Sequence, residues 1–239
     1  MAEPREAHLH VLRLDRFADE TEEALLDRFG DLLTPEERER QARPTLLRRR
    51  REILLTRMLV RTVLSHHAGV DPREWRFGAA ERGRPFIEHP ALDQPLDFNL
   101  AHTEGMIVCL VSEHPGIGVD VEFLPRRSDL EGVAGHFFAV PEQAALMVLP
   151  KEERRARFFA YWTLKEAYIK ARGQGLALPL DGFWFDLAGD EPAISFDDRI
   201  EDDPERWRFR TVELSPDHLC SVALPFGPGP RPELHLVEA

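Results

Sequence analysis

The run LDFNLAHTEGMIVCLVSEHPGIGVDVEFL, residues 96–124, carries three strand signals in succession and sets the class of the fold. LDFNLAH (96–102) and MIVCLVS (106–112) are strand-like stretches joined by a short polar turn containing Gly105. GIGVDVEFL (116–124) is a further strand. Ahead of this run, residues 21–70 have a helical period broken near Thr34-Pro35 and at Pro44. Thr34, Pro35 and Glu37 have the spacing of a capping box. Leu54, Leu55, Met58, Leu59, Val63 and Leu64 form an apolar stripe that Gly69 ends. Behind the run, residues 129–149 and 152–172 read as helices, and FWFDL, WRFRTVEL and HLCSVAL as closing strands. WRFGAAERGRPFI is a strand with a tight turn, and HLHVLRLD (8–15) alternates as a half-buried strand does. The order predicts an α+β protein of two comparable halves with a seam near Ser112–Gly116.

Composition bounds what such a fold can do. The chain has 239 residues, 43% hydrophobic and 31% charged, as an ordinary globular protein has. A net charge of −12 argues against nucleic acid as the ligand, while leaving room for a small anion held by a local basic cluster. Cys109 and Cys220 sit in apolar runs and read as buried strand residues, not a disulfide. The N-terminal stretch lacks the apolar core of a signal peptide and no run approaches a membrane span, so a cytoplasmic protein is expected. His8 and His10 share a face of their strand; with no third ligand following nearby, they read as solvent-facing rather than metal-binding.

Two places carry the chemistry. Asp120 and Glu122, two apart on a strand, leave the same face, with Val119 and Val121 turned to the core. Like charges there repel, so the pair marks either a divalent-cation site or the wet face of an edge strand. In YWTLKEAYIKARGQGL (161–176), Trp162, Glu166, Ile169 and Lys170 form one helical stripe. Only three lysines, Lys151, Lys165 and Lys170, stand among 31 basic residues, and two of them flank Glu166. A surface ion pair between Glu166 and Lys170 is one reading. The other is a compact point charge that suits a phosphate or a developing alkoxide, without arginine's planar fork. The glycines of GIG (116–118) and GQG (173–175) do not complete a dinucleotide fingerprint.

GVDVE, followed some 40 residues on by WTLKEAYIKARGQGL, resembles the 4′-phosphopantetheinyl transferases of the surfactin-synthetase-activating (Sfp) type. LTPEERERQAR (33–43), MLVRTVLS (58–65), ERGRPFI (81–87) and FNLAHTEG (98–105) extend the resemblance over most of the chain. The resemblance implies Mg²⁺-dependent transfer of the phosphopantetheine arm of coenzyme A to a serine of an acyl or peptidyl carrier protein, releasing 3′,5′-ADP. Such carriers serve fatty-acid, polyketide or nonribosomal-peptide synthesis. It implies Asp120, Glu122 and Glu166 as metal ligands, Glu166 as general base and Lys170 as the phosphate-stabilising cation. Arg40, Arg84, His102 and Lys165, with Asp120 and Lys170, would contact coenzyme A. Arg43, Arg51 and Arg61 are further candidates beside the nucleotide. The implied fold has two pseudo-symmetric halves, 1–114 and 115–239, each a small antiparallel sheet on a long helix. The active site lies in the cleft between them, the first half contributing nucleotide contacts and the second the metal. A chain containing both halves is expected to be a monomer. Arg126, Arg127 and GHFFAVPEQAALM (135–147) are the expected carrier-docking region, with Phe137 or Phe138 in the core.

Two positions depart from the family's pattern. Ala101 replaces a serine before the histidine, and Glu37 replaces a basic residue, for which the arginine run 48–51 is a possible substitute. A Mg²⁺-dependent phosphohydrolase acting on coenzyme A and a non-catalytic carrier-binding relative are the alternatives from other classes.

Overall fold

A computed structural model of the chain describes residues 6–126, 129–229 and 232–239. It is mixed α+β. A four-stranded sheet has the order β11 (Glu233–Glu238), β1 (Glu6–Arg13), β5 (Met106–Ser112), β4 (Asp97–Thr103). A three-stranded sheet has the order β6 (Gly118–Phe123), β10 (His218–Leu224), β9 (Arg208–Ser215). Two separate hairpins are β2 (Arg76–Ala79) with β3 (Pro85–His89), and β7 (Phe183–Asp186) with β8 (Ala193–Phe196).

The helical stretch at 21–70 divides where its prolines require it, into α1 (Glu22–Phe29), α2 (Pro35–Ala42) and α3 (Leu47–Ala68). The capping box is formed: the Thr34 hydroxyl accepts from the Glu37 N–H, and the Glu37 carboxylate accepts from the Thr34 N–H. The expected helix at 129–149 is two helices, α4 (Leu130–Phe137) and α5 (Val140–Met147). Phe138 and Ala139 between them are extended, and Pro141 fits only the first turn of a new helix. α6 (Lys151–Arg172) ends on Gly173 at φ +61°, a left-handed stop that glycine accepts without strain.

β5 explains its own sequence. All seven of its residues are buried, because both faces are covered. Ile107, Cys109 and Val111 belong to the apolar cluster under α3 with Leu55, Leu59 and Val63. Met106, Val108 and Leu110 face the other way, clustering with Val119, Val121, Cys220 and Val222 of the second sheet. The alternation of a strand thus serves two cores, and a continuous apolar run is the result. Both cysteines are buried free thiols.

The two sheets meet along β4 and β6, and polar side chains fix the junction. Asp97 Oδ2 accepts the Gly116 N–H at 2.7 Å, Asn99 Oδ1 the Val119 N–H at 2.9 Å, and Thr103 Oγ1 the Phe123 N–H at 3.2 Å. These bonds take up the N–H groups of Val119 and Phe123 in β6 and of Gly116 just before it, and set the height of the strand carrying Asp120 and Glu122. On the other side α6 lies directly on β6. A Cβ added at Gly118 would stand 2.0 Å from the Ala167 carbonyl oxygen and 2.6 Å from the Ala171 nitrogen. Gly118→Ala is therefore expected to cost about 2–3 kcal/mol, measured by denaturant unfolding, because helix and strand must separate. Wild-type stability in that variant contradicts the contact.

One expectation for β1 is corrected. His10 does not face solvent: it is 4% exposed, and its Nε2 lies 3.0 Å from Nε2 of His67 on α3. Burial and the neighbouring His67 push the His10 imidazole down to about 4, so it is neutral. The histidine pair at the end of α3 covers this part of the sheet.

Candidate active site

Asp120 and Glu122 project from β6 toward α6, and Glu166 and Lys170 project from α6 toward β6. Lys170 Nζ donates to Asp120 Oδ1 at 2.7 Å and to the Val119 carbonyl at 3.1 Å. Asp120 Oδ2 is buried and accepts no hydrogen bond. Burial raises the Asp120 carboxyl above its ordinary range, even against the pull of Lys170. Glu122 accepts from Trp162 Nε1 at 3.2 Å and from Arg126 Nη1 at 3.4 Å. Burial, then the charge of Asp120, raises Glu122 as well. Glu166 is pushed up to about 7, by burial first, then by Asp120, with Lys170 opposing and Glu122 adding. Three desolvated carboxyls repel one another here, with Lys170 as the one ammonium among them.

Two cavities open on this group. One, of about 260 Å³, has Glu166, Ile169 and Lys170 on one wall and Arg82, Arg84 and Asn99 on another. Arg84 donates to Asp97 Oδ2 at 2.8 Å and to the Lys170 carbonyl, so it ties the β2–β3 turn to the end of α6. The other cavity, of about 450 Å³, is lined by Glu122, His102, Arg48, Arg49, Glu52 and Arg126, among others. His102 Nδ1 lies 2.8 Å from Glu52 Oε1, and this contact holds the Glu52 carboxyl below its usual range.

The structure also answers why lysines flank Glu166. Lys165 stands about 100° from Glu166 around the helix and points into the core. It is fully buried, with Nζ 2.7 Å from Glu142 Oε2, 2.8 Å from the Leu180 carbonyl and 2.6 Å from the Phe183 carbonyl. Three N–H donors meet three acceptors, an arrangement a guanidinium fork cannot match. Lys165 is thus no contact for a ligand, and that expectation is withdrawn. Burial lowers Lys165 and raises Glu142, each opposed by the charge of the other.

Other expected residues separate. Arg40 is exposed on α2 and lines neither of these cavities. Arg61 is fully buried, its guanidinium 2.7 Å from Glu37 Oε2 and over the Phe77 ring, so it is no nucleotide contact. Glu37 therefore serves the helix cap and the Arg57 and Arg61 ion pairs. Ala101 is buried in the cluster between the sheets. Arg127 lies outside the described residues. Sequence reasoning missed Arg82, Asn99 and Glu142. It treated Arg48 and Arg49 only as part of a run, although both reach the cavity of His102.

Comparison with known proteins accounts for this arrangement. Residues 116–223 match the 4′-phosphopantetheinyl transferase superfamily, and residues 20–115 match the family described as 4′-phosphopantetheinyl transferase, N-terminal. The 4′-phosphopantetheinyl transferase HetI of Nostoc sp. is 34% identical over 219 residues, covering 92% of this chain and 86% of that protein. The 4′-phosphopantetheinyl transferase Sfp of Bacillus subtilis is 32% identical over 196 residues, covering 82% of this chain and 84% of that protein. With both halves matched and such relatives aligned over most of their lengths, the chain belongs to the Sfp-type 4′-phosphopantetheinyl transferases.

Proposed function

We propose that the protein moves the 4′-phosphopantetheine arm of coenzyme A onto a carrier-protein serine and releases 3′,5′-ADP. The serine oxygen forms a bond to the phosphorus bearing the pantetheine. The bond from that phosphorus to the bridging oxygen breaks, and the electron pair leaves on 3′,5′-ADP. The observation that carries this reading is the Asp120–Lys170 pair with its unpartnered buried Oδ2, beside Glu122 and Glu166 and open to the Arg84 cavity.

The chemistry of that donor set suits a hard divalent ion, since an orphaned carboxylate oxygen and mutually raised carboxyls both call for positive charge, although the three carboxylates do not converge within 4.8 Å of one another and would have to close on it. Asp120, Glu122 and Glu166 would hold Mg²⁺, which when bound offsets charge on the reacting phosphates. Lys170 donates to the phosphate oxygens as charge moves to the leaving group. Glu166, on the cavity wall, takes the serine proton directly or through water. Arg84 and Arg82 place positive charge by the nucleotide, and His102 with Arg48 and Arg49 meets the 3′-phosphate. Arg40, exposed on its helix, is a rim contact.

Residues 1–114 and 115–239 act in this reading as the two halves around the cleft, within a monomeric cytoplasmic enzyme, but the sheets are not two separate antiparallel ones, because β11 of the second half joins the sheet of the first in parallel with β1. Carriers dock on the second half, where Val140 and Met147 of α5 are 78% and 58% exposed. Arg126 offers these acidic partners complementary charge.

Lys170→Arg is expected to lose about 10²-fold in kcat, because the fork cannot keep both the Val119 carbonyl and Asp120 while facing the phosphate. Full rate in that variant removes Lys170 from the reaction. Release of 3′,5′-ADP, followed by chromatography with wild-type carrier, Ser→Ala carrier and none, tests the reaction class. Release confined to the serine-bearing carrier supports transfer, whereas equal release without carrier makes the protein a hydrolase.

A further inference from the structure

The parallel pairing of the chain's two ends creates a second cluster of ligand-bearing side chains. β1 contains Glu6-Ala7-His8, and β11 contains Glu233-Leu234-His235. The register sets Glu6 beside Glu233 and His8 beside His235. Residues opposite one another on parallel neighbours share a face, and residues two apart on a strand do also. All four side chains therefore project from one patch.

We propose that Glu6, His8 and His235 form a site for a divalent transition metal of the zinc class. Among the described residues they are the one trio of histidine, cysteine or acidic side chains whose ligand atoms all lie within 4.8 Å of one another. Glu6 Oε2 stands 3.9 Å from His8 Nε2 and 4.0 Å from His235 Nε2. These separations are too long for hydrogen bonds. Donors about 2.05 Å from a tetrahedral zinc are about 3.4 Å apart, so the two edges from Glu6 close by about 0.6 Å, and the third, between the two imidazoles, starts within 4.8 Å. His8 and His235 are stacked with centroids 4.8 Å apart, and Glu233 Oε2, 3.6 Å from His235 Nε2, is at hand as a further oxygen. Two imidazoles and one carboxylate suit zinc, and with an open position they suit other first-row ions too; Mg²⁺ prefers oxygen alone. His10 and His67 lie behind His8, their Nε2 atoms 3.0 Å apart.

The site would clip a weakly held strand. No residue of β11 is buried, and Leu236 is 55% exposed. Metal linkage between β1 and β11 supplies stabilisation that apolar burial does not.

The test is titration of the full-length, metal-free chain with Zn²⁺ against a chromophoric chelator, in excess Mg²⁺. Parallel hydrogen exchange follows residues 233–238. One Zn²⁺ per chain is expected in wild type and in Asp120→Ala, with added protection of β11. His235→Ala and Glu6→Gln, both at solvent-accessible positions, are expected to bind about tenfold more weakly or worse and to show no added protection. Circular dichroism checks that both remain folded. His8→Gln, which keeps a polar side chain, is the second ligand variant should His235→Ala loosen the strand. Absence of Zn²⁺ binding in wild type overturns the proposal. So does unchanged binding in the ligand variants, or binding lost in Asp120→Ala alone, which would assign the ion to the active-site carboxylates.

Discussion

Asp120→Ala is expected to lower kcat/KM for carrier modification by about 10³-fold or more while leaving the protein folded. The carboxylate has two duties in the proposed reaction. Its Oδ1 fixes the Lys170 ammonium at 2.7 Å, and its Oδ2, buried without a partner, is the oxygen offered to a cation. Loss of the side chain removes both. Stability should hardly fall, because the variant removes a desolvated carboxyl already raised by burial, and Lys170 is partly solvated. Initial rates of 3′,5′-ADP release and a thermal melt check the two halves of this expectation. A rate within about tenfold of wild type would remove Asp120 from the reaction centre.

Glu142→Ala should act in the opposite way, on the fold rather than the chemistry. Glu142 Oε1 accepts the Phe185 N–H at 3.0 Å, and Oε2 accepts the Ala139 N–H at 3.0 Å. Its Oε2 also pairs with Lys165, and both side chains are fully buried. Truncation leaves an ammonium and two backbone N–H groups without this acceptor in the core beneath α6. Removing one partner of a buried ion pair costs about 3–5 kcal/mol, a large share of the about 5–15 kcal/mol that holds an ordinary domain folded. Urea unfolding measures it. Restoration of stability by Lys165→Met in the same chain would show that the cost lies in the stranded charge. A fall below about 1 kcal/mol would mean that Glu142 and Lys165 are not closely coupled.

The sequence revealed those parts of the site that follow strand and helix periodicity. Asp120 with Glu122 is a same-face pair on any strand, and Trp162, Glu166 and Lys170 stand on one stripe of α6. Their convergence depends on helix and strand touching at Gly118, and no local pattern announces that contact. Lys165 was misplaced because its acceptors lie far along the chain, in α5, the turn before β7 and the first residue of β7. Glu142 itself resembles an ordinary acidic residue of a first helical turn. Its position just after Pro141 was the available signal, pointing to a side chain that folds back on the backbone. His10 failed for the same reason, its partner being on α3. His8 and His10 lack a third ligand in the linear sequence, and the fold separates them: His10 turns to His67, whereas His8 meets Glu6 and His235, which arrives through the parallel strand from the other end.

The carboxylate–lysine site and the family both point to one reaction, and intact-protein mass spectrometry tests it most directly. Apo carrier proteins would be incubated with the chain, coenzyme A and Mg²⁺, alongside EDTA and Ser→Ala carrier controls. The account predicts a carrier heavier by one phosphopantetheine group, with the gain absent in both controls and in Asp120→Ala. A gain that persists with EDTA or with the serine removed, or consumption of coenzyme A while every carrier keeps its mass, would contradict it.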